Sequence, residues 1–261
     1  SLSLGGLTYG VTNMELTSAY ASIANGGTYQ KPVLYTKVVD HNGNILLSNT
    51  QKGKRVMKES TAFLLTDAMK DVITKGTGKS AKLSSSMAVA GKSGTTSNSY
   101  DYWFSGYTPY HTASVWMGYD KNTNFASDNT HKKIWAKVMN EIIKTKQEQT
   151  TDFKKPADIV KAKVCKESGK LAIKEVCDHD PRGSRVITEY FEKGTVPTQT
   201  CDIHVAVEVC KTSDKLATKN CPANKKQRKI YIVRKKGSHG KTADTPYMLP
   251  KKYQSVFCKK H

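Results

Sequence analysis

The sequence predicts an α+β protein: an antiparallel sheet with packed helices over residues 1–150, followed by a small, cysteine-stapled, β-rich module over residues 151–261. Three observations predict it. The first 150 residues run through helix-patterned segments, a meander of three strand-like runs and a closing amphipathic segment. All six cysteines fall after residue 160. Positive charge is concentrated in the same tail: residues 151–261 hold 25 Lys+Arg against 12 Asp+Glu, and residues 1–150 hold 17 against 10, so the tail carries +13 of the net +20. With 37% hydrophobic residues, the 261-residue chain can fill one large core and one smaller one. No apolar run approaches the roughly 18 residues of a membrane span, and the opening "SLSLGGLTYG" lacks the basic and apolar regions of a signal peptide. Any anchor is therefore expected outside this chain, whose start without Met reads as cut from something longer.

Taken in order, "TNMELTSAYASIANGG" places Met14, Leu16, Ala19, Ile23 and Ala24 at helical spacing, with Thr12 or Asn13 as cap and Gly26-Gly27 as stop. "YTKVVDHNGNILLS" alternates around Asn42-Gly43, a hairpin signal. "ESTAFLLTDAMKDVITKGTG" is amphipathic and ends at Gly76 and Gly78. The runs "SMAVAGKSGTT", "YWFSGYT" and "TASVWMGYD" read as strands, and "HKKIWAKVMNEIIKTK" as a closing helix. The Lys- and Pro-bearing "TTDFKKPAD" reads as a linker to the tail.

In the tail, "VCKESGKLAIKEVC" (164–177) and "VCKTSDKLATKNC" (209–221) repeat one pattern, which predicts two similar small units. A turn at Ser168-Gly169 or Ser213-Asp214 divides each copy into two short segments. The simple geometry is a hairpin clasped by its own cysteine pair, Cys165–Cys177 and Cys210–Cys221, which leaves Cys201 and Cys258 as the third disulfide. Zinc is the rival, through Cys201 with His204 or Cys177 with His179. Neither has the repeated C-x₂-C spacing of a zinc knuckle, so no metal is expected. The basic tail predicts a polyanionic neighbour, with nucleic acid, an anionic membrane face and an anionic wall polymer as the options, or else serves solubility alone.

Chemistry concentrates in "GKSGTTSNSYDYWFSG" (91–106). Lys92 is followed by Ser93, Gly94, Thr95 and Thr96 on a strand that Gly91 and Gly94 leave bare, so another extended backbone can approach and a backbone N–H can donate to a developing oxyanion. Taken alone, the four-residue motif is also what a surface turn looks like. Its surroundings are more specific. "GKSGTTSNSYDYWFSGYTP", the upstream "LGGLTYGVTNMELTSAYASIANGG" and "SVWMGYD" together resemble, over about residues 1–145, the second half of the transpeptidase domain of class A penicillin-binding proteins. The cysteine-bearing tail resembles extensions on such proteins from Gram-positive, clostridial-type bacteria.

The resemblance implies a serine D,D-transpeptidase that cross-links peptidoglycan stem peptides ending in D-Ala-D-Ala at the extracellular face of the membrane, is trapped by β-lactams, and uses no cofactor. It implies that Lys92 directs positive charge toward the substrate carboxylate and that Thr95 gives its backbone N–H to the oxyanion. It places Ser93, Gly94 and Thr96 against the substrate, and Asp101, Trp103 and Phe104 as packing and turn residues, with Tyr9, Met14 and Tyr20 left as structure. Nucleic acid drops out as a partner, and anionic wall polymer stays. The family's Ser-x-x-Lys nucleophile and Ser-x-Asn motif precede the Lys-Ser/Thr-Gly strand, and neither pattern occurs before Lys92 here. Ser127-Asp128-Asn129 comes in the wrong order. Ser238-His239-Gly240-Lys241 sits in a basic, unpatterned run that is a poor helix start. The chain by itself is therefore expected to be inactive and to work with the N-terminal part of a parent protein. The alternatives are a non-catalytic wall-binding module and a piece of a β-lactamase or β-lactam sensor.

Overall fold

The computed structural model describes residues 5–234 and 242–260. It divides into two compact units, residues 1–158 and 159–261. The boundary lies later than 150/151 because the expected linker packs on the first unit. Ala88 N–H donates to Thr151 C=O at 3.1 Å, the Lys70 ammonium meets Asp152 at 2.7 Å, and the Phe153 ring stands edge-on to Tyr107 at 5.4 Å.

In the first unit, α1 (Asn13–Ala24) starts on a capping box in which the Thr12 hydroxyl accepts from Glu15 N–H and the Glu15 carboxylate returns to Thr12 N–H. It stops at Gly26 and Gly27, both at positive φ. Strand β1 (Thr28–Tyr29) pairs with β4 (Lys54–Arg55), a short ladder the sequence did not announce, and between them β2 (Lys37–Val39) and β3 (Ile45–Ser48) form the Asn42-Gly43 hairpin. Helix α2 (Glu59–Thr74) buries Ala62, Thr66, Met69 and Ile73, three or four residues apart as one helix face requires.

Strands β5 (Ala90–Thr95), β6 (Asp101–Tyr107) and β7 (Thr112–Gly118) form an antiparallel sheet in that order. β5 starts only at Ala90, so the first part of the predicted strand run is irregular. α3 (Thr130–Lys146) closes the unit. Because successive strand residues point to opposite faces, Phe104 and Tyr107 of β6 anchor two different cores. On one face Phe104 meets Trp135 of α3 edge-on at 5.2 Å, with Met139, Ile73, Met87 and Val89 around them. On the other, Tyr107 and Met69 pack with Tyr20 and Ile23 of α1, and the Tyr107 hydroxyl bonds Thr66 Oγ1 at 2.7 Å. The expectation that Tyr20 is structural agrees with this position. Tyr9 and Met14 differ: Tyr9, ahead of α1, is 99% exposed, and Met14, in its first turn, is 55% exposed.

The second unit is β-rich. β8 (Ile159–Cys165) pairs with β9 (Val186–Glu192), and β10 (His204–Cys210) lies between β11 (Lys215–Leu216) and β12 (Lys226–Ile232). A short helix, α4 (Lys252–Ser255), precedes the C-terminal cysteine. The two repeats do turn where expected, at Gly169 and Asp214, both at positive φ. Their long ladders, however, are made with later strands; within the repeats, Val164–Leu171 is a single bridge and β10–β11 spans two residue pairs. The cysteines of the three expected pairs are placed as well. All six cysteines are free and buried, and they gather in two groups of three. Cys201 joins Cys165 and Cys177, whereas Cys258 joins Cys210 and Cys221. Each group holds one of the expected intra-repeat pairs, whereas Cys201 and Cys258 lie in different groups.

Candidate active-site strand and cysteine clusters

Strand β5 is an edge: β6 lies on one side, and no strand of the described residues pairs on the other. Thr96 N–H donates to Asp101 C=O at 3.2 Å, continuing the β5–β6 register of Thr95 with Tyr102. In an antiparallel ladder bonded residues alternate, so the backbone groups of Thr95 and Ser93 face the open edge. Gly91 lies where the sheet is tightest. A Cβ there would sit 2.8 Å from Ser105 O and from the Phe104 ring. Gly94 is different, since a Cβ would meet only Trp103 Cβ at 3.6 Å, and its bareness serves the open side.

Lys92 is exposed, and its ammonium donates to Ser93 C=O at 2.7 Å, along that edge. The Ser93 hydroxyl shares a 2.8 Å hydrogen bond with Thr77 Oγ1. Thr95 is exposed on the strand. Thr96 is locally committed: its hydroxyl accepts from Tyr100 N–H and Asp101 N–H, both at 3.0 Å, and closes the turn into β6. Among the residues expected to pack, Phe104 is fully buried, Trp103 rests against Trp116, and Asp101 accepts from Trp116 Nε1–H at 2.9 Å.

Sequence reasoning missed Lys132. This lysine on the inner face of α3 is 7% exposed and donates to Thr77 C=O and Asn129 Oδ1, each at 2.8 Å. Burial and, after it, the charge of Lys92 hold its ammonium below the ordinary lysine value. Thr77 thus links the two: its side chain reaches Ser93 and its carbonyl holds the second cation. The readable signal was a Lys inside the spacing His131, Trp135, Met139, where an apolar residue belongs. Of the two rejected motifs, Ser127 Oγ shares a 3.0 Å hydrogen bond with His131 Nδ1 as a local contact before α3, and Ser238-His239-Gly240-Lys241 lies outside the described residues.

In the second unit Cys165, Cys177, Cys201 and His204 converge, with ligand atoms all within 4.8 Å of one another, and Cys210, Cys221 and Cys258 do the same. His179 does not join; it faces Asp178 at 3.1 Å. His204 Nε2 bonds the buried Asp180 carboxylate at 2.7 Å. Burial opposes ionisation of Asp180, but hydrogen bonds from Arg182 and His204 overcome it and hold the carboxyl far below its ordinary value. The spacing that announces this convergence is Cys201-x₂-His204, repeated as Cys258-x₂-His261.

Fold and strand together define an α+β domain whose sheet ends in an edge strand, unpaired on its outer side among the described residues, carrying Lys92. The chain belongs to the penicillin-binding protein transpeptidase family: residues 1–144 match the family model for the penicillin binding protein transpeptidase domain. Residues 155–206 match the model of the penicillin-binding protein 1A C-terminal domain. Among curated relatives, penicillin-binding protein 1A of Clostridium botulinum (strain Langeland) is 36% identical over 256 residues, covering 96% of this chain and 30% of the relative. Penicillin-binding protein 1A/1B of Bacillus subtilis (strain 168) is 32% identical over 205 residues, covering 72% and 22%. The chain thus spans less than a third of the length of these relatives. A crystal structure of penicillin-binding protein 1A from Haemophilus influenzae shares the fold, with a TM-score of 0.57 at 24% identity over 73% of this chain and 33% of that one. No described helix is long and apolar enough to cross a membrane.

Proposed function

We propose that this chain supplies the Lys-Ser-Gly-Thr wall of a peptidoglycan D,D-transpeptidase site within a longer protein, at the extracellular face of a membrane. The observation that carries the reading is the open edge of β5, where the Thr95 backbone faces outward beside the Lys92 ammonium. An extended stem peptide adds to that edge as a further strand, its carboxylate drawn to Lys92 and the hydroxyls of Ser93 and Thr95. The serine that attacks the penultimate D-Ala carbonyl belongs to the N-terminal part of the parent. Its ester forms as the terminal D-Ala leaves with a proton, and an amine of a neighbouring strand then takes the acyl group and frees the serine. The Thr95 N–H donates to the oxyanion of both steps. β-Lactams enter by the first step and stay. Thr96 supports the site by shaping the turn, since its hydroxyl is already taken.

The test uses labelled penicillin. This chain alone is expected to take up none, and an adduct on Ser127 would refute the missing-nucleophile reading. In the longer protein, Lys92→Ala is expected to slow acylation on the order of 10²-fold, the scale of removing one transition-state electrostatic group, with an unchanged melting temperature. Unchanged acylation kinetics would reduce the "GKSGTT" run to a surface strand.

A further inference from the structure

We propose that Cys165, Cys177, Cys201 and His204 hold a structural Zn²⁺ ion, one cysteine-rich centre of a module that the sequence repeats. Four ligand atoms meet at one buried point: Cys165 Sγ and Cys201 Sγ lie 3.4 and 3.3 Å from His204 Nδ1, and all four lie within 4.8 Å of one another. A tetrahedral zinc with bonds of about 2.3 Å to sulfur and about 2.0 Å to nitrogen sets S···N near roughly 3.5 Å and S···S near roughly 3.8 Å. The observed S···N spacings are those of ligands around one ion.

Two features aim the ligands. The buried Asp180 carboxylate, itself held by Arg182, accepts from His204 Nε2–H at 2.7 Å, which fixes the tautomer and leaves the Nδ1 lone pair turned to the thiols. This carboxylate–histidine pairing is the usual support of a zinc-bound imidazole. Ile173 N–H donates to Cys177 Sγ at 3.3 Å, which orients that sulfur toward the group. A disulfide uses the group less well. Three thiols cannot pair evenly, and any S–S bond leaves the third thiol beside His204, whereas one ion engages all four. Binding releases three thiol protons to solvent and leaves a centre of net charge −1, with the Arg182 and Arg185 side chains nearby on Asp180.

The same construction recurs in the second copy. Thr218 N–H donates to Cys221 Sγ at 3.3 Å, as Ile173 does to Cys177. Cys201 N–H donates to Leu171 C=O and Cys258 N–H to Leu216 C=O, both at 2.8 Å, from matching positions in the repeat. Both copies of the repeat thus recruit a later cysteine to the same place in the cradle. His261 lies outside the described residues, so the proposal is confined to the first group.

The full 261-residue chain, purified without chelator and dialysed against metal-free buffer, is the material for the test. Elemental analysis is expected to find tightly held zinc, and replacement with Co²⁺ to give the intense thiolate-to-metal absorption of a tetrahedral site. His204→Ala is expected to remove one equivalent of zinc. His204→Cys keeps four ligands and is expected to retain that equivalent with an altered cobalt spectrum, which separates ligation from folding. Asp180→Asn is expected to weaken zinc binding 10- to 100-fold while the cobalt absorption persists. Zinc content unchanged in His204→Ala would overturn the proposal. So would metal-free protein whose non-reducing peptide map shows a Cys165–Cys177 disulfide.

Discussion

At the scale of single residues, His131 shows how the α3 packing sets a protonation state. The ring is 2% exposed, shares a hydrogen bond with Ser127 Oγ at Nδ1, and has a buried Nε2 without a hydrogen-bond partner among the described residues. Burial, with the neighbouring Lys132 charge, pushes its pKa down to about 4. Folding therefore disfavours the imidazolium. The unfolded chain binds the proton first, so the stability tied to neutral His131 is complete above about 6.5, the ordinary histidine value, and drains as pH falls toward about 4. Melting temperatures of the full chain across that window are expected to fall less steeply in His131→Gln than in wild type. Parallel slopes would mean that the ring titrates freely in the folded protein.

At the scale of elements, β5 depends on two glycines in opposite ways. Gly91→Ala forces a methyl group against the Ser105 carbonyl and the Phe104 ring and is expected to cost about 1–3 kcal/mol, the range for overpacking a tight site. Gly94→Ala meets only an ordinary contact and is expected to stay within about 0.5 kcal/mol of wild type. Denaturant titration of both variants checks the pair, and equal losses would contradict the tight-face, open-face division. The three long helices and the β5–β7 meander were legible because their signals are local: the Thr12-x-x-Glu15 box, the face running from Ala62 to Ile73, and alternation bounded by glycine. Lys92 and its neighbours were legible as a motif. What the sequence hid was long-range. Lys132 reaches Thr77 across 55 positions, and Phe153 folds back on Tyr107 from what looked like a linker. The cysteine grouping was hidden for the same reason. Pairing nearest neighbours is the natural reading of six cysteines, whereas Cys201 reaches its partners because Leu171 C=O accepts its backbone N–H.

At the scale of the whole molecule, the charge division matches the division into units closely. With +13 concentrated in residues 151–261, the tail is expected to bind anionic wall polymer in preference to neutral glycan. Retention on wall fragments is expected to fall steeply between about 0.05 and 0.5 M salt, as screening shortens the reach of each ammonium. Salt-independent or absent retention would leave the charge to solubility. One residue also ties the two repeats of the tail to each other. His204 sits among the thiols of the first repeat, and it is also the opening residue of β10, opposite Ile232 in the ladder with β12. A slip of that ladder by one residue turns every side chain of β10 to the reverse face and swings the imidazole away from Cys165 and Cys201. The cysteine pocket of one repeat thus acts as a register key for the sheet of the next, accepting one phase of β10 and rejecting its neighbours.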